Sequence, residues 1–243
     1  MKTYNIRFPL TNDEFLKVLT NSFSAFLDSG TSRSTQKLKP LHGAIANDIA
    51  LKIGEKYTIS SQGYNNDKES SILGRYMNKN VDITISKGGK SIAGIAVKFI
   101  MQNYSQNSNN YFENMLGETA NIRCNHLPYF QVFIILDKLP YYKKDKSISK
   151  WESFTSHNAS KYIILSNDDT NVYYHTPNKT LIYTIHIPDN DSIKSLNDYM
   201  TYYKSLDTAV EISNAINIEY GKSIILNDYV EFREKVYHTI FAL

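Results

Sequence analysis

Residues 81–100 read VDITISKGGKSIAGIAVKFI, and this stretch decides the expected fold. From Val81 to Ile85 apolar and polar residues alternate, which is typical of a β-strand with one buried face. Residues 87–90, KGGK, have the composition of a tight turn, and residues 92–100 return as a largely apolar run. We therefore predict two adjacent antiparallel strands joined by a hairpin.

Helices are predicted on both sides of this hairpin. Each candidate segment places apolar residues on one helical face, and several begin at residues that cap helices, such as Asn12 and Asn227. The predicted helices cover residues 12–29, 40–53, 111–123, 191–206 and 227–237. This pattern predicts an α/β fold in which helices flank a central sheet.

Further strands complete the predicted sheet. Residues 130–136, 162–165 and 181–187 are rich in β-branched or aromatic side chains, which favour strands. Residues 57–79 are polar and rich in turn-forming residues, so we predict a long surface loop there. We expect a single domain over residues 1–243, with a core at about residues 40–190 that is built on a mixed central sheet.

The composition excludes several classes of protein. With 42% hydrophobic and 21% charged residues, the chain is not disordered as a whole. Its longest uninterrupted apolar run is residues 132–136, whereas a membrane-spanning helix needs about 18 apolar residues, so we expect a soluble, cytoplasmic protein. The lone Cys124 excludes a disulfide within the chain and a cysteine-based zinc site, and no two histidines have close metal-ligand spacing. Any metal is therefore expected to be bound mainly through oxygen atoms.

Two polar segments are candidate DNA contacts. The net charge of +3 is small, but Arg33, Lys37 and Lys39 stand among hydroxyl-bearing residues that suit a phosphate backbone. Residues 102–110 are rich in side chains that can pair with adenine edges or phosphates. The candidates in this segment are Gln102, Asn103, Gln106, Asn107 and Asn109. The alternative interpretations are a solvated lysine-bearing loop and a polar loop that caps the following helix.

Asp82 and Lys98 form the most informative pair in the sequence. They lie on the two strands of the predicted hairpin, and Lys98 interrupts a strand that is otherwise almost entirely apolar. A lysine in such a strand is costly to bury unless it meets a counter-charge or a phosphate. Pairing of the strands could bring both side chains to one face, where the carboxylate binds a divalent cation and the ammonium group acts on a phosphodiester. The alternative is an ion pair that only ties the two strands together.

This arrangement resembles a known group of enzymes. An aspartate and a lysine on paired strands, with a helix before them and a helix and a further strand after them, are similar to the PD-(D/E)xK nuclease superfamily, and specifically to its type II restriction endonucleases. The resemblance covers about residues 40–136. The chain departs from the pattern at Ala96, where those enzymes carry an aspartate or glutamate two residues before the lysine.

The resemblance implies a restriction-endonuclease-like core and a metal site in which a glutamate has moved to the following helix. Glu113 is then the expected catalytic and metal-binding glutamate, and Glu118 is the reserve. Mg²⁺ would be held by Asp82, one of these glutamates and the backbone carbonyl of Val97, while Lys98 assists the attacking water.

The function implied by the resemblance is Mg²⁺-dependent, sequence-specific cleavage of double-stranded DNA. A homodimer is expected, because two identical subunits can read a palindromic site, and a DNA methyltransferase acting on the same site is an expected companion. Two alternatives stay open. One is a repair or junction-resolving nuclease with the same fold, and the other is a non-catalytic DNA-binding protein whose nuclease site has decayed at Ala96.

Overall fold

The computed structural model describes residues 8–29 and 37–243. The helices are α1 (Asn12–Ser29), α2 (Lys39–Ile53), α3 (Tyr104–Arg123), α4 (Ser156–Ser166), α5 (Leu196–Ser205) and α6 (Tyr229–Phe241). The strands are β1 (Tyr57–Ser61), β2 (Ser70–Leu73), β3 (Asn78–Val81), β4 (Ile83–Lys87), β5 (Lys90–Ile100), β6 (Tyr129–Leu136), β7 (Lys138–Tyr142), β8 (Ile148–Ser153), β9 (Lys179–His186), β10 (Glu211–Ile212) and β11 (Ile224–Leu226). Among these residues, no helix is both long enough and apolar enough to cross a bilayer.

The predicted hairpin lies inside a mixed central sheet. Its strands follow the order β1-β4-β5-β6-β9-β10, and β11 also pairs with β9. Strand β4 is antiparallel to both β1 and β5, whereas β5, β6 and β9 run parallel to one another. The turn between β4 and β5 needs left-handed backbone at Gly88 (φ 58°) and Gly89 (φ 78°), which glycine adopts without steric cost. The α/β class and the mixed sheet flanked by helices are therefore confirmed.

The strands in the middle of the sheet are the most deeply buried. Every residue of β6 is buried, because helices or hairpins cover both of its faces. Strand β5 runs parallel to β6, so the chain between them must cross over the sheet, and α3 makes this connection. Along β5 the exposed side chain in the second half of the strand is Lys98.

The helices at the two ends of the chain pack together against the sheet. Phe15 of α1 stacks on Tyr229 of α6, with ring centroids 4.0 Å apart, and meets Tyr183 of β9 edge to face at 5.2 Å. These three rings are fully buried, and aromatic contacts of this kind contribute about 0.5–1.5 kcal/mol beyond the burial of their area. The end helices therefore belong to the same core as the central sheet.

A separate hairpin of β2 and β3 stands beside the main sheet. Its inner side chains, Ile72 and Val81, pack with Ile122 of α3 and Tyr129 of β6 in a small second hydrophobic cluster. The loop before this hairpin and the residue after it, Asp82, lie next to the cleft described below.

Two predictions about this region are wrong. Residues 57–79 were expected to form a loop, but β1 and β2 lie there and β3 begins at Asn78. These strands each bury only one or two side chains, so their polar residues conceal the alternation. Residues 81–85 were expected to be one strand, but the chain bends at Asp82, between β3 and β4.

A third prediction that is wrong concerns residues 162–165, which belong to helix α4 and not to a strand. Tyr162 and Leu165, three positions apart, are buried, whereas Ile164 between them is 72% exposed. That spacing is helical, and a run of four apolar residues is too short for the sequence to distinguish the two structures.

The remaining differences concern the bounds of helices and the strands that were not predicted. Helix α3 begins at Tyr104, seven residues before the predicted start, and Asn103 before it has left-handed backbone with φ 52°. The Asn103 side chain accepts a hydrogen bond from the Tyr142 backbone N–H at 2.9 Å, which anchors the start of the helix to β7. Helix α5 begins at Leu196 and α6 ends at Phe241, and strands β7 and β8 were not predicted at all.

Candidate functional site: an acidic cleft beside a buried histidine

A cleft with a volume of about 310 Å³ opens between the bend at Asp82, strand β5 and helix α3. Three of the residues proposed from the sequence line it together: Asp82, Lys98 and Glu118. Strand pairing explains the first two, since β4 and β5 are neighbours and Ile83 is opposite Ile95. Helix α3 brings in the third residue as it crosses from β5 to β6.

Asp82 is held in a fixed position by backbone contacts. The Ser61 hydroxyl donates a hydrogen bond to the Asp82 carbonyl at 2.8 Å, and the Val97 backbone N–H donates to Asp82 Oδ2 at 2.7 Å. Burial raises the pKa of the Asp82 carboxyl, and the negative charge of Glu118 raises it further, although the Val97 hydrogen bond opposes the shift. The aspartate is thus a desolvated carboxylate that would be stabilised by a cation.

Glu118 is oriented by two side chains. Lys79 Nζ lies 2.5 Å from Glu118 Oε1, and the Tyr129 hydroxyl donates to Glu118 Oε2 at 3.5 Å. Burial raises the pKa of Tyr129 well above its ordinary value, and the negative charges of Glu118 and Asp82 add to that effect. Tyr129 therefore stays a neutral hydrogen-bond donor toward the glutamate.

Lys98 lies on the exposed side of the cleft. Its Nζ is 4.8 Å from the centroid of the Tyr111 ring, an arrangement in which the ring face attracts the cation. Its charge also acts on buried Lys37, because burial and then the charge of Lys98 lower the pKa of Lys37 to about 8. No ion pair of Lys98 with a carboxylate is found among the described residues, so the cleft presents this ammonium group to solvent.

Ala96 faces a polar neighbour in the cleft. It pairs with Gln131 of β6, which is buried and whose Nε2 has no hydrogen-bond partner within the described part of the chain. A small residue at position 96 leaves the space between Asp82 and Gln131 open.

Glu113 lies outside this cleft, contrary to its expected role. It is exposed on the surface of α3, and the nearby charge that it affects is that of Lys161 on α4. Five residues separate it from Glu118, so the two side chains point in directions about 140° apart around a helix of 3.6 residues per turn. The geometry therefore favours Glu118 as the glutamate that accompanies Asp82.

The candidate DNA contacts are scattered in the structure. Arg33 lies outside the described residues, Lys37 is buried against Phe26, and Lys39 is paired with Asp67. In the second segment, Gln106 and Asn109 are exposed on the first turns of α3, and Gln102 and Asn107 are half-buried. Asn103 bonds the backbone of Tyr142, which is a structural role.

A second group of potential ligands shares Asp82. One ligand atom each from His42, Glu69 and Asp82 lies within 4.8 Å of the other two. His42 is 3% exposed, and neither of its ring nitrogens has a hydrogen-bond partner among the residues described. Burial lowers the pKa of His42 to about 4, against the opposing charge of Glu69, so the ring is neutral and able to donate a lone pair.

Close backbone packing brings these residues together. A Cβ atom on Gly43 of α2 would lie 2.2 Å from the Gly63 carbonyl oxygen, so only glycine lets the loop after β1 approach the helix at this point. Lys39 pairs with Asp67 in the same loop, and Gln62 Nε2 donates to Glu69 Oε1 at 2.8 Å. Helix and loop are thereby fixed beside the bend at Asp82.

A metal ion could be held by the cluster of His42, Glu69 and Asp82. The sequence predicted a metal bound mainly through oxygen atoms, and the spacing of its histidines did not single out His42. Glu69 follows His42 by 27 positions, so no local motif links them. A sequence feature that could have indicated this cluster is the presence of Gly43 and Gly63, because glycine allows two backbone segments to approach closely.

The comparisons with known proteins identify no relative. No family model matches the sequence, and neither curated proteins nor solved structures give a significant match. Function is therefore inferred from the geometry and electrostatics of the cleft.

Proposed function

We propose that this protein is a Mg²⁺-dependent type II restriction endonuclease that makes sequence-specific double-strand breaks in DNA. The observation that carries the proposal is the meeting of Asp82, Glu118 and Lys98 in one cleft. Further support comes from the order of elements, since α2, β1, β4, β5, α3 and β6 follow one another as in a restriction-endonuclease-like core, with the hairpin of β2 and β3 inserted.

The donor set of the cleft fits Mg²⁺. Asp82 and Glu118 offer hard oxygen ligands. Burial and then the charge of Glu118 raise the pKa of Asp82, and a cation between the two carboxylates would offset both effects. When bound, Mg²⁺ would polarise the phosphodiester and lower the pKa of a coordinated water. Glu118 would exchange its contact with Lys79 for the cation, while the Val97 N–H keeps Asp82 in position.

Lys98 supplies the positive charge that the reaction needs on the open side of the cleft. Its ammonium group would bind a phosphate oxygen of DNA and stabilise the negative charge that increases as water attacks. Tyr111 restricts the side chain by its ring contact at 4.8 Å. The products would be a 5′-phosphate and a 3′-hydroxyl. The biological setting that we propose is a homodimer paired with a DNA methyltransferase that acts on the same site and protects host DNA.

The test is digestion of phage-length DNA in Mg²⁺ or in EDTA. We expect discrete fragments with the wild type. The cleavage rate should fall at least about 10²-fold in Asp82→Asn, Lys98→Ala and Glu118→Gln, because each removes a group that acts on the transition state. Glu113→Gln is the matched control and should cut within about threefold of wild type. Equal losses in Glu113→Gln and Glu118→Gln would contradict the assignment of the glutamate.

Folding of the inactive variant must be checked separately. Asp82→Asn retains an oxygen that can accept the Val97 hydrogen bond and removes a desolvated charge. It should therefore unfold at a higher temperature than wild type at neutral pH in EDTA. The sign follows from the raised pKa of Asp82: the folded state binds the proton more tightly than the unfolded state, so wild-type stability falls as pH rises through that pKa.

A non-catalytic DNA-binding protein is the second candidate function. The observations in its favour are the engagement of Glu118 by Lys79 and the absence of a carboxylate at Ala96. DNA binding without cleavage by a folded wild type, in several divalent metals, would support it. Cleavage only of branched or damaged DNA would instead indicate a repair or junction-resolving nuclease.

A further inference from the structure

The cluster of His42, Glu69 and Asp82 differs from the cleft in its chemistry. The cleft offers oxygen atoms, whereas this cluster adds an imidazole nitrogen from helix α2. Both ring nitrogens of His42 are buried without a partner among the residues described, which is costly for a polar group in a protein interior. A bound cation would satisfy one of them.

We propose that His42, Glu69 and Asp82 form a binding site for a first-row transition-metal dication, with Mn²⁺ as the test ion, and that this site discriminates against Mg²⁺. Imidazole nitrogen favours transition metals, whereas Mg²⁺ is bound by oxygen. The proposal goes beyond the proposed nuclease function: it shares Asp82 with the cleft but holds whether or not the protein cuts DNA.

The dimensions of the cluster suit such an ion. Two ligands on opposite sides of a cation at about 2.1 Å from each are about 4.2 Å apart, and adjacent ligands are closer. The three ligand atoms here lie within 4.8 Å of one another, and at most one pair can be opposite, so the side chains must turn inward to close around the ion. Three protein ligands leave the remaining coordination positions to water.

Each of the three ligand side chains is also fixed by contacts with neighbouring groups. Gln62 Nε2 donates to Glu69 Oε1 at 2.8 Å, and the Val97 N–H donates to Asp82 Oδ2 at 2.7 Å. His42 is fixed by its burial and by the contact of Gly43 with Gly63. Such supporting contacts orient ligands before the ion arrives and increase the affinity of a metal site.

The test is pulsed electron paramagnetic resonance of the full-length protein, with Mn²⁺ below one equivalent so that the ion occupies the site with the highest affinity. We expect hyperfine coupling from one directly coordinated ¹⁴N nucleus in the wild type. The coupling should be lost in His42→Leu and kept in His238→Leu, which replaces an exposed histidine of α6. A wild-type spectrum without ¹⁴N coupling would overturn the proposal.

Affinity gives a second readout that does not require His42→Leu to fold. Glu69→Gln should weaken Mn²⁺ binding at least tenfold in calorimetric titration against excess Mg²⁺, whereas Glu113→Gln, at an exposed position outside the cleft, should stay within twofold. His42-dependent Mn²⁺ binding by a protein that does not cut DNA would uphold this site and remove the nuclease proposal. DNA cleavage, combined with Mn²⁺ binding that is unchanged by substitution of His42 or Glu69, would uphold the nuclease proposal and remove this site.

Discussion

Helix α2 buries two polar side chains six residues apart, Asp48 and His42, and their surroundings differ completely. The Asp48 carboxylate accepts hydrogen bonds from the Leu10 backbone N–H at 2.6 Å and from the Tyr229 hydroxyl at 2.7 Å, and Arg233 Nη1 lies 3.4 Å away. His42 has no hydrogen-bond partner among the residues that the structure describes. One helix thus carries a satisfied buried charge and an unsatisfied buried ring.

The Asp48 network has a structural purpose. Burial raises the pKa of Asp48, but its hydrogen bonds and the charge of Arg233 oppose the shift. Arg233 also donates to the Leu10 carbonyl at 2.8 Å, so the network joins α2, α6 and the chain before α1. Replacement of a single member would leave the others buried without partners.

In the region around His42 and Asp82, by contrast, buried polar groups lack hydrogen-bond partners among the described residues. Asp82 and Gln131 line the cleft and His42 lies next to Asp82, and the hydrogen-bonding capacity of these polar groups is only partly used. Native proteins tolerate such groups mainly where a ligand completes them, because an unsatisfied buried group costs about 1–3 kcal/mol. The contrast indicates that the cleft is shaped for binding and the Asp48 network for stability.

The largest expected effect is in the satisfied network. Arg233→Met should lower the free energy of unfolding by about 3–5 kcal/mol, because it leaves the Asp48 carboxylate buried without its counter-charge. Denaturant titration measures this loss. Arg75→Met, at an exposed position, should change stability by at most about 0.5 kcal/mol. Similar values for the two variants would mean that Asp48 does not depend on Arg233.

A smaller effect is expected from two helical glycines with different surroundings. Gly43→Ala should destabilise the protein by about 1–3 kcal/mol and weaken Mn²⁺ binding, because its Cβ would lie 2.2 Å from the Gly63 carbonyl oxygen. Gly117→Ala in α3 meets nothing within 4 Å and should stabilise by about 0.5–1 kcal/mol. Thermal and metal titrations of both variants test this pair, and a stabilised Gly43→Ala would show that the loop can move away.

The third expected effect depends on pH and concerns Lys37. Its pKa in the folded protein is about 8, against 10.5 for an unperturbed lysine, because of burial and the charge of Lys98. The unfolded state therefore binds more protons between these values, so wild-type stability should rise with pH across that window. Lys37→Met should be more stable than wild type at pH 8 by about 2 kcal/mol, with allowance for solvent screening, and the gap should close toward pH 10.5.

The control for this measurement is Lys144→Met, which removes an exposed lysine. It removes the same charge at the surface, so it separates the effect of burying a lysine from the effect of net charge. A flat profile for Lys37→Met would mean that Lys37 reaches solvent and is fully protonated in the folded state.

Prediction from the sequence succeeded where a pattern is local and long. The hairpin of β4 and β5 followed from alternation around the glycine turn, and α1 and α2 followed from apolar spacing over 15 or more residues. It failed for residues 162–165, where four apolar residues suit a strand or a helix. It also failed for β7, which buries three of its five residues without strict alternation, and for β8, which buries only one of its six.

By itself, the sequence determined the α/β class and the central hairpin, beside which Asp82 and Lys98 line one cleft, because these features depend on periodicity and short-range turns. The tertiary structure alone decided that Glu118 and not Glu113 lines the cleft, since the turn of α3 that faces β5 is set by packing. It also decided that His42 and Glu69, 27 residues apart, meet at Asp82. That meeting needs the backbone contact of Gly43 with Gly63, which no spacing along the chain encodes.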